Sequence, residues 1–309
     1  MTHFPYIGSG PYCYANSFAM MFGDKAAPTS VIEFATGSPF GMQLISGTLP
    51  FFDPHGWTPE AGFDDALAAL GWTSRTVRSR EPGEAVAALE EALISGPVWV
   101  GPVEIGHLRH QPGMKGPIGA DHYLVVLGLG GDHVLMHDPQ GYPYATIPLG
   151  HFIEAWKAET LDYGSPFTMR TAFRQVETVP DEEVIRRSLP HAARWLSMAG
   201  DHDVPPGTLG NAQAAARLAE LVEAGDDPEL RGHLIHFAVR VGARRAADAA
   251  TCLARIGREK PAEVMDRQAR LIGSLQYPLV VEDYARAASQ LRMLAPIYEE
   301  LQAACTDWL

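Results

Sequence analysis

The sequence predicts an α+β protein in two parts. A helix packed on an antiparallel sheet is expected over residues 1–174, and an all-helical domain over 181–309. Three observations predict this. Ala15, Phe18, Ala19 and Phe22 recur at i, i+3, i+4 and i+7, the spacing of one buried helical face. Two apolar runs flank Gly130-Gly131 within residues 121–143, which is a hairpin pattern. Beyond Arg174 the chain becomes rich in Ala, Arg, Glu and Leu at helical spacing, after a linker at 175–180. The 309 residues suffice for two domains, and 46% hydrophobic with 20% charged residues is a folding composition.

The first helix is expected within residues 8–23. Ser9 or Gly10 is placed to cap it, Pro11 suits a first turn because proline has no N–H to lose, and Gly23 suits a left-handed close. Residues 28–54, rich in Gly, Pro, Ser and Phe, read as irregular structure walling a cleft beside Cys13. A helix over 58–70 starts at Thr58-Pro59 and stops at Gly71. A strand over 72–78, a helix over 82–94 and an apolar strand over 97–103 follow. Residues 104–120 form a Gly/Pro/His loop in which Glu104, His107 and His110 are candidates to line the cleft, against the commoner role of solvated loop polar residues. In the second part, helices are expected near 181–198, 209–224, 228–241, 243–257, 260–274 and 280–304. Pro190 and Pro296 are expected to kink or split two of them. No fixed period marks these helices as repeats.

Cys13 falls at the mouth of the first helix, among backbone N–H groups without helical acceptors and at the positive end of the dipole. That setting favours a thiolate. A nucleophile needs a base, and the hairpin offers one. His122 opens its first strand and Asp138 ends its second, sixteen positions later. A turn centred on Gly130 makes the two directly opposed, with Cβ atoms about 4.5–5.5 Å apart. The carboxylate would then hold one ring nitrogen and leave the other as base. His133 and His137 alternate onto the other strand face and read as structural or surface polar. Cys13, His122 and Asp138 together meet the needs of nucleophilic acyl transfer: a thiolate, a proton acceptor and a carboxylate fixing its tautomer. The N–H groups at the helix start offer donors to an oxyanion. A cysteine on a first helix with a histidine on a later strand is the papain-like arrangement.

The stretches GPYCYANS, FDPHGW and HYLVVLGL…VLMHDPQG together resemble the butirosin-biosynthesis protein H family, whose members carry a papain-like N-terminal domain. The order Cys, His, Asp with DP after the second hairpin strand is also similar to the bacteriocin-processing cysteine peptidases. The resemblance spans the first half of the chain, and the helical half looks like the appended domain of that family. It implies a cysteine acyltransferase of secondary, antibiotic-type metabolism. The acyl group would arrive on a carrier-protein or other small thioester, with phosphopantetheine on the donor and no cofactor bound to this chain. It would leave on an amine of a small molecule, as an amide or lactam. Cys13 would be the nucleophile, His122 the base and Asp138 the orienting acid. In one respect the sequence departs: papain-like peptidases place a glutamine six residues before the cysteine to complete the oxyanion hole, and here that residue is Ile7. The hole is then expected from the Cys13 N–H with Tyr12, Tyr14, Asn16 or Ser17, and Glu104 is a further substrate-binding candidate. A thioester needs less oxyanion help than an amide, so Ile7 weighs against a peptidase more than against a transferase. A cysteine hydrolase and an inactive scaffold protein remain as rival readings.

The net charge of −13 argues against nucleic acid or an anionic membrane as partner. No N-terminal segment reads as a signal peptide, and apolar runs such as 123–129 are too short to span a bilayer. Cys13, Cys252 and Cys305 form no CxxC pair, which points away from a disulfide framework or zinc knuckle and toward reduced cytoplasmic thiols. His233 and His236 lie one helical turn apart without an evident third ligand, so a helix surface is expected rather than a metal site. Arg240, Arg244 and Arg245 read as a solvated helical face rather than a carrier-protein contact. A homo-oligomer is compatible with the sequence.

Overall fold

The computed structural model describes residues 11–200 and 202–308. The candidate caps Ser9 and Gly10, and Ile7, lie outside the described residues. In chain order the elements are α1 (Cys13–Phe22), α2 (Thr29–Ala35), the short strands β1 (Gln43–Ile45) and β2 (Leu49–Phe51), α3 (Pro59–Leu70), β3 (Trp72–Arg78), α4 (Pro82–Leu93) and β4 (Val98–Glu104). A 3-10 turn at Ile105–His107 leads through a loop to β5 (Asp121–Gly130), β6 (His133–Asp138), β7 (Tyr142–Pro148), α5 (Leu149–Lys157) and β8 (Thr168–Gln175). Then come α6 (Asp181–Leu196), β9 (Leu209–Gly210), α7 (Asn211–Ala224), α8 (Pro228–His233), α9 (Val239–Arg255), α10 (Glu259–Ser274), α11 (Gln276–Val280) and α12 (Tyr284–Ala304). The fold is α+β, with every strand pairing antiparallel. Among the described residues, no helix is long and apolar enough to cross a membrane.

The chain divides into two units: Met1–Thr29 with Gly71–Thr178, and Ser30–Leu70 with Val179–Leu309. The step after residue 178 falls within the expected linker. The earlier segment does not divide as expected, because residues 30–70 belong with the helices and not with the first unit. The reason is pairing. β1 is the middle strand of a three-stranded sheet ordered β2-β1-β9, and its Leu44 pairs with Leu209 far downstream. Met42, Leu44 and Phe52 sit in one apolar cluster with Leu218, Ile272 and Leu291 of the helices.

The first unit is built on a six-stranded sheet ordered β3-β8-β4-β5-β6-β7. Val100 of β4, Leu124 and Val126 of β5, and Val134 and Met136 of β6 share one core with Leu89 of α4 and Trp156 of α5. The predicted α1 face, Ala15, Phe18, Ala19 and Phe22, is buried throughout. Phe18 stacks on Trp99 at 4.9 Å, Trp99 on Tyr123 at 4.9 Å, and Phe22 on Trp72 at 4.4 Å. Stacked pairs add about 0.5–1.5 kcal/mol each beyond simple burial, enough to fix how α1 lies on the sheet. Gly23 ends α1 at φ +59°, a value costly for a side chain, though its ψ of −135° is not the left-handed helical close expected.

In the helical unit, Pro190 and Pro296 lie inside α6 and α12 without splitting either helix. The break expected near residue 242 is absent, since α8 runs through a π-helical turn at Leu234–Ala238 directly into α9. Arg245 corrects the expectation of a solvated face. It is 6% exposed, with Nε 2.8 Å from Glu33 Oε1 and Nη1 3.2 Å from Asp53 Oδ2, and its guanidinium lies over the Trp57 ring. Two acids from the 30–70 segment thus bury this cation.

Candidate active site

Cys13 is the first residue of α1. Tyr12 precedes it at the N-cap position with no side-chain cap bond, and the Asn16 N–H donates to the Tyr12 carbonyl at 2.9 Å. Because α1 begins at Cys13, the sulfur stands at the N-terminal, positive end of the helix. Cys13 is half-buried, whereas Cys252 and Cys305 are buried. Burial, aided by the Asp248 charge, pushes the Cys252 thiol up to about 12, which leaves it inert.

His122 is buried, and its side chain is hydrogen-bonded both to Cys13 and to Asp138. Nε2 lies 2.8 Å from Asp138 Oδ1, so Nδ1 is the nitrogen left for the sulfur. Burial by itself would depress the imidazole pKa. The Asp138 charge and hydrogen bond, with a smaller share from Cys13, outweigh it and push the ring up to about 10. Asp138 shows the reverse: burial works to raise its pKa, and the His122 charge with hydrogen bonds from His110, His122 and the Gln140 N–H hold it well below the usual carboxylate range.

The hairpin brings this pair together differently from the expected direct opposition. Its turn is Gly131-Asp132, since Gly130 pairs with His133. From there the ladder runs Leu129 with Val134 and Gly128 with Leu135, then slips so that Val126 pairs with Met136 and Val125 with His137. Leu127 is the extra residue, a β-bulge. Continued, that register sets Leu124 across from Asp138, with His122 two residues further along the same face. The contact is a diagonal one that the length of the imidazole spans.

The residues around the trio have mixed fates. Glu104 needs a correction, because its carboxylate is not available to a substrate. Oε1 accepts the N–H groups of Gly106 (3.0 Å) and Ile118 (3.1 Å), and Oε2 accepts the Gly119 N–H (2.9 Å) and the Thr160 hydroxyl (2.5 Å). Burial would raise its pKa, but these donors, Thr160 foremost, lower it. Glu104 therefore ties together the two ends of the loop between β4 and β5. Ser17 is also committed, its hydroxyl donating to the Tyr123 carbonyl at 3.2 Å. Tyr12 and Tyr14 are buried, Tyr14 with its ring edge-on to Tyr123 at 6.0 Å. Asn16 is buried with its Nδ2 lacking a hydrogen-bond partner among the described residues, which leaves a donor one turn along from Cys13.

Two further residues join the site: His110, a candidate cleft-lining residue in the sequence, and Gln111, which the sequence leaves unassigned. His110 Nε2 lies 2.8 Å, and Gln111 Nε2 2.7 Å, from Asp138 Oδ2. His110 reads in the sequence as a loop residue able to line the cleft, not as a partner of Asp138, and nothing in the spacing singles out Gln111. Three other histidines have partners elsewhere: His137 Nδ1 accepts the Tyr144 N–H, His133 pairs with exposed Asp132, and His233 donates to the Pro50 carbonyl. Among the described residues, no group of three or more His, Cys, Asp or Glu is placed to hold a metal ion.

Known proteins add a likeness that centres on the helical unit. Residues 205–306 match the family model described as the YobF C-terminal domain. Over 303 residues, 96% of each chain, the sequence is 25% identical to the Bacillus subtilis (strain 168) protein described as "Uncharacterized protein YobF". The similarity to YobF thus extends well beyond the matched domain and runs through the Cys13-bearing part of the chain.

Proposed function

We propose that this chain is a cysteine-dependent acyltransferase with a papain-like catalytic unit, working through an S-acyl-Cys13 intermediate. The observation supporting it most is the half-buried thiol at a helix start, bonded to a buried imidazole that a carboxylate holds from behind. In this reading the Cys13 proton passes to His122 Nδ1 and the sulfur attacks a thioester carbonyl. The carbonyl oxygen takes the negative charge at the N-terminal end of α1, within reach of the Asn16 side-chain amide. Collapse expels the donor thiolate, which takes the proton from His122, and leaves S-acyl-Cys13. An amine then attacks that acyl group and gives its proton to His122, and the proton returns to the departing Cys13 sulfur. Asp138 keeps the ring oriented and steadies the imidazolium throughout.

Ile7 in place of the usual glutamine favours a thioester donor over an amide. The donor would be a carrier protein with its phosphopantetheine, or a smaller thioester, and the acceptor a small amine, in a reducing cytoplasmic setting. The resemblance to the butirosin-biosynthesis protein H family supports antibiotic-type metabolism as the context. The same trio would serve a hydrolase if water took the amine's place. Incubation with a short acyl thioester of N-acetylcysteamine, following thiol release with and without added amines, separates the readings. Release that depends on amine and vanishes in Cys13→Ala fits the transferase, release indifferent to amine fits a hydrolase, and no release fits a scaffold.

A further inference from the structure

Asp138 is held by more than the imidazole it orients. Oδ1 accepts from His122 Nε2 and the Gln140 N–H, both at 2.8 Å, while Oδ2 accepts from His110 Nε2 at 2.8 Å and Gln111 Nε2 at 2.7 Å. An ionised carboxylate only accepts, so His110 donates through Nε2. Its Nδ1 is buried without a hydrogen-bond partner among the described residues. The His110 ring is also braced, edge-on to Tyr142 at 5.3 Å.

Consecutive side chains in extended backbone point apart. Here a tight turn, with the Gln111 N–H donating to the Leu108 carbonyl at 2.9 Å, lets His110 and Gln111 converge on one oxygen. The loop that makes this turn is the one Glu104 closes, through Gly106 at its start and Ile118 and Gly119 at its end. Without these donors Oδ2 would be a buried anionic atom with nothing to satisfy it, and the carboxylate would be free to turn away from His122.

We propose that His110 and Gln111 are positioning residues that aim Asp138 at His122, with Glu104 setting the loop that carries them. This rests on the reading of Cys13 and His122 as a catalytic pair. A residue that acts only through Asp138 has a signature that general stabilisation lacks: its effect disappears once Asp138 can no longer hold the imidazolium.

The test is the rate of iodoacetamide alkylation at Cys13 against pH in the full-length chain, read by peptide mass spectrometry, with folding of each variant checked by circular dichroism. His110→Phe and Gln111→Leu should each slow alkylation near about pH 6 by roughly tenfold, the scale of one hydrogen bond to a charged group. Both should shift the pH profile in the same direction as Asp138→Asn and add nothing in an Asp138→Asn background. His110→Gln, which keeps an N–H donor, should recover most of the rate. Unchanged profiles, or effects that add fully to Asp138→Asn, overturn the proposal. The low-field NMR proton on His122 Nε2 gives a readout independent of the sulfur, expected to shift in both variants, and an unshifted signal also overturns it. If Cys13 alkylation in the wild type ignores His122→Ala, the catalytic reading falls, and this NMR signal still decides whether the clamp exists.

Discussion

The Nε2 of His122 reaches Asp138 Oδ1 at 2.8 Å along a diagonal between β5 and β6, and the bulge at Leu127 makes that diagonal available. The register set by the Gly131-Asp132 turn, continued unbroken, would place the two side chains on opposite faces of the sheet. A shift of one residue in an antiparallel ladder exchanges the faces of everything beyond it. The bulge supplies that shift, so the geometry of the pair is set several residues from either member.

The pair makes stability depend on pH in a direction that can be worked out. The His122 pKa is raised from 6.5 to about 10, so its contribution is complete below 6.5 and is lost as pH climbs through about 10. The Asp138 pKa is lowered from 3.8, so its contribution is present above 3.8 and is lost as pH falls below it. Thermal melts should therefore show the Tm deficit of Asp138→Asn largest between about pH 4 and 6.5 and shrinking toward about pH 10. A deficit that grows with alkalinity would contradict the ion pair.

Glu104 and Gly106 should matter for loop order. Glu104→Leu strips an acceptor from three backbone N–H groups and the Thr160 hydroxyl. The expected cost is on the order of 3 kcal/mol, read by chemical denaturation. A Cβ on Gly106 would lie 2.0 Å from the Gly116 carbonyl oxygen, which belongs to the backbone and cannot swing aside. Gly106→Ala should therefore speed amide exchange across residues 105–120, and protection equal to wild type would refute the clamp.

In the helical unit, Arg245→Met leaves Glu33 and Asp53 buried without their cation. A loss of about 3–5 kcal/mol is expected in denaturant melts. Adding Glu33→Gln and Asp53→Asn should return part of it, because the penalty comes from uncompensated charge. No recovery would point to lost packing alone.

Much of the trio was legible because both of its frames are periodic. The i, i+3, i+4, i+7 face around Cys13 and the paired apolar runs around Gly130-Gly131 are short-range signals. Register was not legible: in a run as apolar as YLVVLGL, period-2 alternation cannot mark Leu127 as the extra residue. Glu104 was misread because its partners are mostly backbone N–H groups, which every residue but proline carries. Residues 30–70 and Arg245 were misplaced for a third reason. Their partners, Leu209 for β1 and Glu33 and Asp53 for Arg245, lie well over a hundred positions away, where no local pattern reaches.

The covalent intermediate itself can be weighed. Intact-mass spectrometry after mixing the full chain with an acyl N-acetylcysteamine thioester should show one added acyl group on Cys13. It should be absent in Cys13→Ala and slow to form in His122→Ala, with Cys252 and Cys305 unmodified. An unmodified wild-type mass across a panel of thioesters, or an adduct that persists in Cys13→Ala, would contradict the role given to that sulfur.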